Sequence, residues 1–181
     1  MQPGLVGLVV VALVALYLRG LAGRLDRLHV RVEAARDALD AQLVRRTAAA
    51  LELAHAGLLD PASSVLLAEE AYAAQTAEQV HRQRAETELT GALHAAIADD
   101  ATVALLSDSA RGRELLEALR RSCGHVVLAR RFYNDAVRTT RSLRDRRLVR
   151  WLHLAGTAPY PHPFEMDDQP PASLTAPANQ A

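Results

Sequence analysis

The first 18 residues, MQPGLVGLVVVALVALYL, contain no charged side chain. As an α-helix this run is about 27 Å long, close to the ~30 Å hydrocarbon core of a bilayer. Tyr17 and Arg19 lie at its end, where such side chains mark a membrane interface. No arginine precedes the run and no A-x-A-like site follows it, which favours an uncleaved transmembrane anchor over a signal peptide.

Arginines are concentrated after this run, at Arg19, Arg24, Arg27, Arg31 and Arg36. The positive-inside rule therefore predicts a short N-terminus outside and a C-terminal domain in the cytoplasm. A lone cysteine, Cys123, cannot form an internal disulfide, which suits a reducing compartment. We expect a single-pass protein of the cytoplasmic membrane.

Two stretches carry apolar or small residues at alternating spacings of three and four, the seam of a packed or coiled-coil helix. The first is Leu21, Leu25, Leu28, Val32, Ala35, Leu39, Leu43, Ala50 and Leu53, interrupted by Arg45 and Arg46. The second follows a cap at Asp108 or Ser109 and is Leu115, Leu119, Ser122, Val126, Ala129, Tyr133, Ala136, Thr140 and Leu143. Between them, Asp60-Pro61 begins a helix predicted to reach about residue 98, and residues 99–109 form a connector.

The predicted fold is all-α, with a transmembrane helix followed by an antiparallel bundle of about three long helices. Residues 1–18 are the anchor, whose helix is expected to continue to about residue 57, and residues 19–154 are the cytoplasmic bundle. Residues 155–181 hold six prolines and no arginine, which predicts a disordered tail that buries little apolar surface. Its candidate docking residues are Tyr160, Phe164 and Met166.

Charges are segregated although the formal net charge is zero. Residues 52–108 contain 10 acids and 2 arginines, whereas residues 111–150 contain 12 arginines and 4 acids. This pattern fits two helices of opposite sign packed together, or an arginine-rich face for anionic lipid or another acidic partner. Few aromatics accompany these arginines and no nucleic-acid motif is present, so we predict no nucleic-acid partner.

The segment RRFYNDAVR, residues 130–138, differs from the alanine-, leucine- and arginine-rich sequence around it. Tyr133 lies on the second seam, Asn134 needs a polar partner, and Arg131 and Asp135 have the spacing of an i,i+4 ion pair. We interpret this turn as a register pin of the bundle, with a ligand-binding surface as the alternative. The candidate structural or interaction residues are Arg130, Arg131, Phe132, Tyr133, Asn134, Asp135 and Arg138.

Motifs that carry chemistry are missing from the sequence. It has no phosphate-binding glycine loop, no H-E-x-x-H and no G-x-S-x-G, and its seven histidines have no tight metal-binding spacing. The pairs Glu69–Glu70 and Glu86–Glu88 are interpreted as carboxylates of a solvated acidic helix. We therefore predict no catalytic, cofactor or metal site.

Three segments and their order resemble the LemA family of small membrane-anchored bacterial proteins. They are VEAARDALDAQLVRR (residues 32–46), AETELTGAL (85–93) and ARRFYNDAVR (129–138), placed after an N-terminal anchor. The resemblance implies a bundle of long antiparallel helices on the cytoplasmic side of a membrane, with an uncertain molecular function. TAAALELA (47–54) and TTRSLRDRR (139–147) depart from the family pattern, which puts a shared ligand in doubt.

The function predicted from these features is a non-enzymatic scaffold or adaptor at the cytoplasmic face of the membrane. Its partners would be the membrane and other membrane or cytoplasmic proteins, with homo-oligomerisation left open. The alternative is a binder of small ligands or anionic lipid headgroups that uses the arginine-rich third helix.

Overall fold

The computed structural model describes residues 3–152, 156 and 158–175, and the regular secondary structure among them is entirely helical. The predicted all-α class is confirmed for these residues. The elements are α1 (Pro3–His55), α2 (Pro61–Thr76), α3 (Arg82–Ala96), α4 (Asp100–Asp108), α5 (Ala110–Arg144), α6 (Arg147–Trp151) and α7 (Ala172–Thr175). They group into a first unit, Met1–Arg36 with Phe132–Pro163, and a second unit, Asp37–Arg131 with Phe164–Ala181.

Helix α1 confirms that the apolar run continues without a break into the first seam. It ends at His55, and Gly57 follows with a φ of 68°, the left-handed conformation that commonly terminates helices. Between residues 5 and 17 all the large apolar side chains are exposed, and this helix is long and apolar enough to cross a membrane. Most of the predicted seam is buried, at Leu21, Leu25, Val32, Leu39, Leu43, Ala50 and Leu53.

The predicted single helix over residues 61–98 is wrong, because the chain breaks between Thr76 and Arg82 into α2 and α3. The N-cap is as predicted, since Asp60 accepts hydrogen bonds of 3.0 Å from the backbone N–H groups of Ala62 and Ser63. The break contains neither glycine nor proline, so no local stop signal marks it. Its physical reason lies in packing: α2 and α3 contact each other, and buried alanines allow the two helices to approach closely.

Helix α4 replaces the predicted connector, and its axis is bent by 80° from that of α3. The Asp99 carboxylate caps α4 by accepting a hydrogen bond from the Thr102 N–H. The turn into α5 is tight, and the predicted cap there is confirmed because the Ser109 hydroxyl accepts from the Gly112 N–H at 2.9 Å. A Cβ atom at Gly112 would overlap the Leu106 carbonyl, so this position requires glycine.

Each unit has its own apolar core. In the second unit α1, α2, α3, α4, α5 and α7 all contribute to one cluster, whose larger members include Leu53, Leu59, Leu67, Leu89, Leu93, Ile97, Leu106, Leu115, Leu119 and Leu174. In the first unit a smaller cluster contains Leu21, Leu25, Leu143 and Val149, with Leu28 packed against it. Val149 brings the short helix α6 into this second cluster.

The predicted disorder of the tail does not hold for the described residues 158–175, which we call the C-terminal segment. Phe164, Pro171 and Leu174 are buried, and Leu174 belongs to the core of the second unit. The physical reason is that an extended, proline-rich segment leaves its carbonyl groups free to accept hydrogen bonds from side chains of the helices. Residues 1–2, 153–155, 157 and 176–181 lie outside the described part of the chain.

Candidate functional site

The most deeply buried polar contact in the second unit joins Arg46 of α1 to Glu86 of α3. The Arg46 Nη2 atom lies 2.6 Å from Glu86 Oε2, and the two side chains are 2% and 1% exposed. Nη2 also donates to the Glu86 carbonyl at 3.0 Å, and Nη1 donates to the Thr90 hydroxyl at 3.0 Å. One guanidinium therefore binds a carboxylate, a carbonyl and a hydroxyl of the same helix, an arrangement that fixes α3 against α1.

This buried pair is connected to the C-terminal segment through Thr90. The Thr90 hydroxyl lies 2.8 Å from the Asp167 carbonyl and 3.0 Å from the Glu86 carbonyl, either of which can accept its proton. The Asp167 N–H donates to the Thr87 hydroxyl at 3.2 Å. Two threonines of α3 thus bind the carbonyl and the N–H group of Asp167 in the C-terminal segment.

Some polar atoms around the pair have no hydrogen-bond partner within the described part of the chain. These are Arg46 Nε, Glu86 Oε1, Arg82 Nε and Gln42 Oε1. Arg82 Nε lies 3.9 Å from Glu86 Oε1, an electrostatic contact longer than a hydrogen bond. Glu86 therefore experiences two positive charges, of which only Arg46 makes the short contact.

This pair was not predicted from the sequence, and Glu86 is buried rather than part of the predicted solvated face. The sequence nevertheless contains a signal that Arg46 is buried. Arg46 lies three residues after Leu43 and four before Ala50, so it occupies a position of the first seam rather than interrupting that seam. Glu86 likewise precedes Leu89 by three residues. Two opposite charges on buried seams indicate that the helices meet there. Glu88, by contrast, is half-exposed and pairs with Arg84 at 2.8 Å.

The Arg130 side chain of the RRFYNDAVR segment binds the C-terminal segment within the second unit. Its Nε and Nη2 atoms donate to the two oxygens of Asp168 at 2.7 and 2.8 Å. Both side chains are mostly buried, with exposed fractions of 22% and 14%. This bidentate geometry is the strongest arrangement available to an arginine and a carboxylate.

Tyr133 has a comparable role within the first unit. It is buried, as its place on the seam predicted, and its hydroxyl donates to the His162 carbonyl at 2.8 Å. Its ring thus fills a core position while the hydroxyl holds the C-terminal segment, and sequence analysis did not foresee that partner. Asn134 beside it is half-buried.

The other residues of the RRFYNDAVR segment are exposed. Phe132 is 67% exposed, and Arg131 and Arg138 also lie at the surface. The Asp135 carboxylate lies 3.7 Å from the Arg138 guanidinium, so the ion pair of Asp135 runs forward along α5 and the predicted Arg131 pair is wrong. The segment therefore combines two buried contacts with an exposed surface.

Two further arginines of α5 bind the C-terminal segment in the first unit. Arg141 Nε donates to the Pro161 carbonyl at 2.8 Å, and Arg144 donates to the Ala158 and Pro159 carbonyls at 2.9 and 2.7 Å. Both guanidinium carbons lie over the Tyr160 ring, 4.8 and 5.2 Å from its centroid. Tyr160 is therefore held by two cation–π contacts.

The remaining candidate docking residues differ in burial. Phe164 is 6% exposed, whereas Met166 is half-buried. Further along, His94 Nε2 lies 2.8 Å from the Gln169 carbonyl, and the Ser173 hydroxyl donates to the Ile97 carbonyl at 3.0 Å. Contacts with α3 and α5 thus hold much of the segment from residue 158 to residue 174.

The polar residues described here mainly stabilise the fold. Burial raises the pKa of the Cys123 thiol, opposed by the positive charge of Arg46 and a hydrogen bond with Ser122, so the thiol is neutral near pH 7. Within the described residues no three His, Cys, Asp or Glu side chains come together in a group that could hold a metal ion. The contacts found here are ion pairs and hydrogen bonds that connect segments of the chain.

Comparison of the chain with protein-family models, with curated proteins and with solved structures found no significant match. The resemblance to LemA therefore stays a prediction.

Proposed function

We propose that this chain is a membrane-anchored helical scaffold of the LemA type, with its helical domain in the cytoplasm. The observation that carries the proposal is the continuity of α1. Its large apolar side chains between residues 5 and 17 are exposed, and the same helix later contributes Ala50, Leu53 and Ala54 to a core. One continuous helix would connect the bilayer to the domain, which suits a protein that positions partners at the membrane.

The contacts of the candidate site favour a scaffold over an enzyme. Arg46, Glu86 and Thr90 belong to the segments on which the LemA resemblance rests, and they bind one another in a core. Arg130 and Tyr133 of the third segment bind the backbone or carboxylate of the C-terminal segment. The characteristic residues thus maintain the fold, in keeping with an antiparallel bundle of LemA-like helices.

A second candidate function is recognition of anionic lipid headgroups by arginines near the end of α5. The C-terminal segment already engages Arg130, Arg141 and Arg144, which disfavours these three as a site for a free small ligand. Arginines 146, 147 and 150 remain exposed, and this observation keeps the lipid candidate open.

The scaffold proposal is tested by crosslinking in living cells. A photoreactive phenylalanine analogue replaces Phe132, which is exposed on α5, and the same analogue at Tyr72, exposed on α2, is the matched control. We expect one defined protein to be captured at position 132, and to be lost when the apolar run is deleted. Crosslinks to lipid alone would favour the second candidate, and labelling identical at both positions would contradict a specific protein surface at Phe132.

A further inference from the structure

Helix α6 and its flanking residues expose an unusual combination of side chains in the first unit. Trp151 is 81% exposed, Leu148 50% and Leu152 39%, while Arg146, Arg147 and Arg150 are also exposed. Only Val149 of α6 is buried. The five-residue helix therefore turns one apolar side chain inward and presents a tryptophan, a leucine and two arginines outward.

This short helix lies near the end of the apolar run of α1. Val149 belongs to the same core cluster as Leu21 and Leu25, which lie about 5 and 10 Å beyond Leu18 along a helix rising ~1.5 Å per residue. The headgroup layer of a bilayer extends about 5–8 Å beyond the hydrocarbon core on each side. Val149 thus packs on the part of α1 that would pass through or just beneath this layer.

Arg144 also contacts this part of α1. Its Nη1 atom lies 3.2 Å from Nε2 of His29, one turn of α1 further from the apolar run than Leu25. Leu143, one residue before Arg144, and Val149, five residues after it, both belong to the cluster of Leu21 and Leu25. The chain from Leu143 to Val149 therefore stays beside the first turns of α1 beyond the apolar run.

The charge of this region is only partly neutralised within the described residues, through the ion pair of Arg138 with Asp135. Residues 138–150 contain six arginines and a single acid, Asp145, whose carboxylate lies 3.3 Å from the Tyr160 hydroxyl. Arg146, Arg147 and Arg150 make no ion pair with a described carboxylate. Three solvated guanidinium groups beside a membrane exit complement the phosphates of anionic lipids, which arginine binds through two N–H groups.

We propose that Arg146, Arg147, Leu148, Arg150 and Trp151 form an interfacial foot that docks on the anionic lipid surface around α1. Tryptophan is enriched at this depth because its ring is apolar and its N–H is polar. The interfacial foot rests on the proposed membrane anchoring and adds a second, lipid-dependent contact. It would limit the tilt and rotation of the helical domain relative to the bilayer.

Trp151 provides the probe, because it is the only tryptophan of the chain. The full chain is reconstituted in vesicles of phosphatidylcholine alone or of phosphatidylcholine and phosphatidylglycerol in equal amounts. We expect Trp151 emission to shift to shorter wavelength in the anionic vesicles. Lipids brominated near the glycerol end of the acyl chain should quench it, and 1 M salt should reverse part of the effect because screening there acts within ~3 Å.

Substitutions separate the contribution of the arginines from that of the anchor. Each of Arg146→Gln, Arg147→Gln and Arg150→Gln should lower the docking equilibrium on the order of fivefold in anionic vesicles. The matched control carries Arg45→Gln, Arg121→Gln and Arg131→Gln, three exposed arginines of the second unit, and should retain the quenching. Circular dichroism of every variant checks that the helices are intact.

Membrane insertion is measured separately, by resistance of the reconstituted chain to extraction at alkaline pH. An inserted chain whose Trp151 remains fully accessible to acrylamide in anionic vesicles would overturn the interfacial foot and leave the anchor intact. A chain that is extracted would overturn both. Shielding of Trp151 in native membranes but not in either vesicle would point to a protein partner, and would overturn the assignment to lipid.

Discussion

The Arg46 guanidinium and the Glu86 carboxylate lie 2.6 Å apart in the second unit, and almost none of either side chain is exposed. Such a pair adds little over a well-packed apolar pair, because both charges lose their hydration. Removing one partner is costly, because the other charge stays buried without compensation. The contact should therefore act through specificity: it disfavours arrangements of the helices that would separate the two charges.

We predict that Glu86→Leu lowers the free energy of unfolding by about 3–5 kcal/mol, because Arg46 then lacks its carboxylate. The double variant Arg46→Met/Glu86→Leu should recover most of this loss. Urea unfolding of residues 21–181, followed by circular dichroism, measures both, with Glu88→Leu as an exposed control that should have little effect. A single variant that is no less stable than the double variant would show that the pair does not constrain the fold.

The C-terminal segment should contribute to stability. Phe164 is buried, so Phe164→Ala should cost about 3 kcal/mol or more, as for other large-to-small core substitutions. Glu165→Ala changes the neighbouring exposed residue and is the matched control. Urea unfolding followed by circular dichroism measures both variants. Equal unfolding midpoints would contradict the burial of Phe164 and would favour the disordered tail that the composition predicted.

Two glycines should respond in opposite directions to replacement by alanine. Gly112→Ala should destabilise by about 1–3 kcal/mol, because the new methyl group would overlap the Leu106 carbonyl at the start of α5. Gly91→Ala should stabilise by about 0.5–1 kcal/mol, since Gly91 is an exposed helical residue with open space around its Cα. Thermal melts of the two variants should lie on either side of the parent melt. A neutral Gly112→Ala variant would mean that the turn is looser than described.

Burial of Cys123 predicts slow thiol chemistry. Because burial raises its pKa, the folded state favours the neutral thiol. The corresponding stability is present below the ordinary pKa of 9.0 and is lost as pH rises through the higher folded-state value. Labelling by iodoacetamide at pH 8 should therefore be slow, and should accelerate on adding urea. His125→Cys in a Cys123→Ser background is the exposed control, and equally rapid labelling of both cysteines would contradict burial.

The helical seams were the part of the fold most open to prediction. Leu119, Val126 and Tyr133 are buried as the three-four spacing of α5 predicts, because periodicity reports which face of a helix is apolar. Periodicity does not indicate which residues from distant parts of the sequence contact each other. Arg46 and Glu86 are 40 residues apart, and each looked like a surface charge until the helices were brought together.

Local composition also misled at two places, for different physical reasons. The break after Thr76 has no glycine or proline, so it depends on the packing of α2 against α3 rather than on a local signal. Prolines in residues 159–171 predicted disorder, yet their free carbonyls accept bonds from Arg141 and Arg144. An extended segment is ordered when side chains of neighbouring helices replace its missing internal hydrogen bonds.

The central claim is that α1 holds the helical domain at the cytoplasmic face of a membrane, and paired reporters fused after Ala181 test it most directly. One reporter fluoresces only when folded in the cytoplasm, and the other, a phosphatase, is active only outside it. In a bacterial host we predict fluorescence, no phosphatase activity, and a fusion that stays in the membrane fraction after alkaline extraction. Phosphatase activity, or release of the fluorescent fusion into the soluble fraction, would contradict the account.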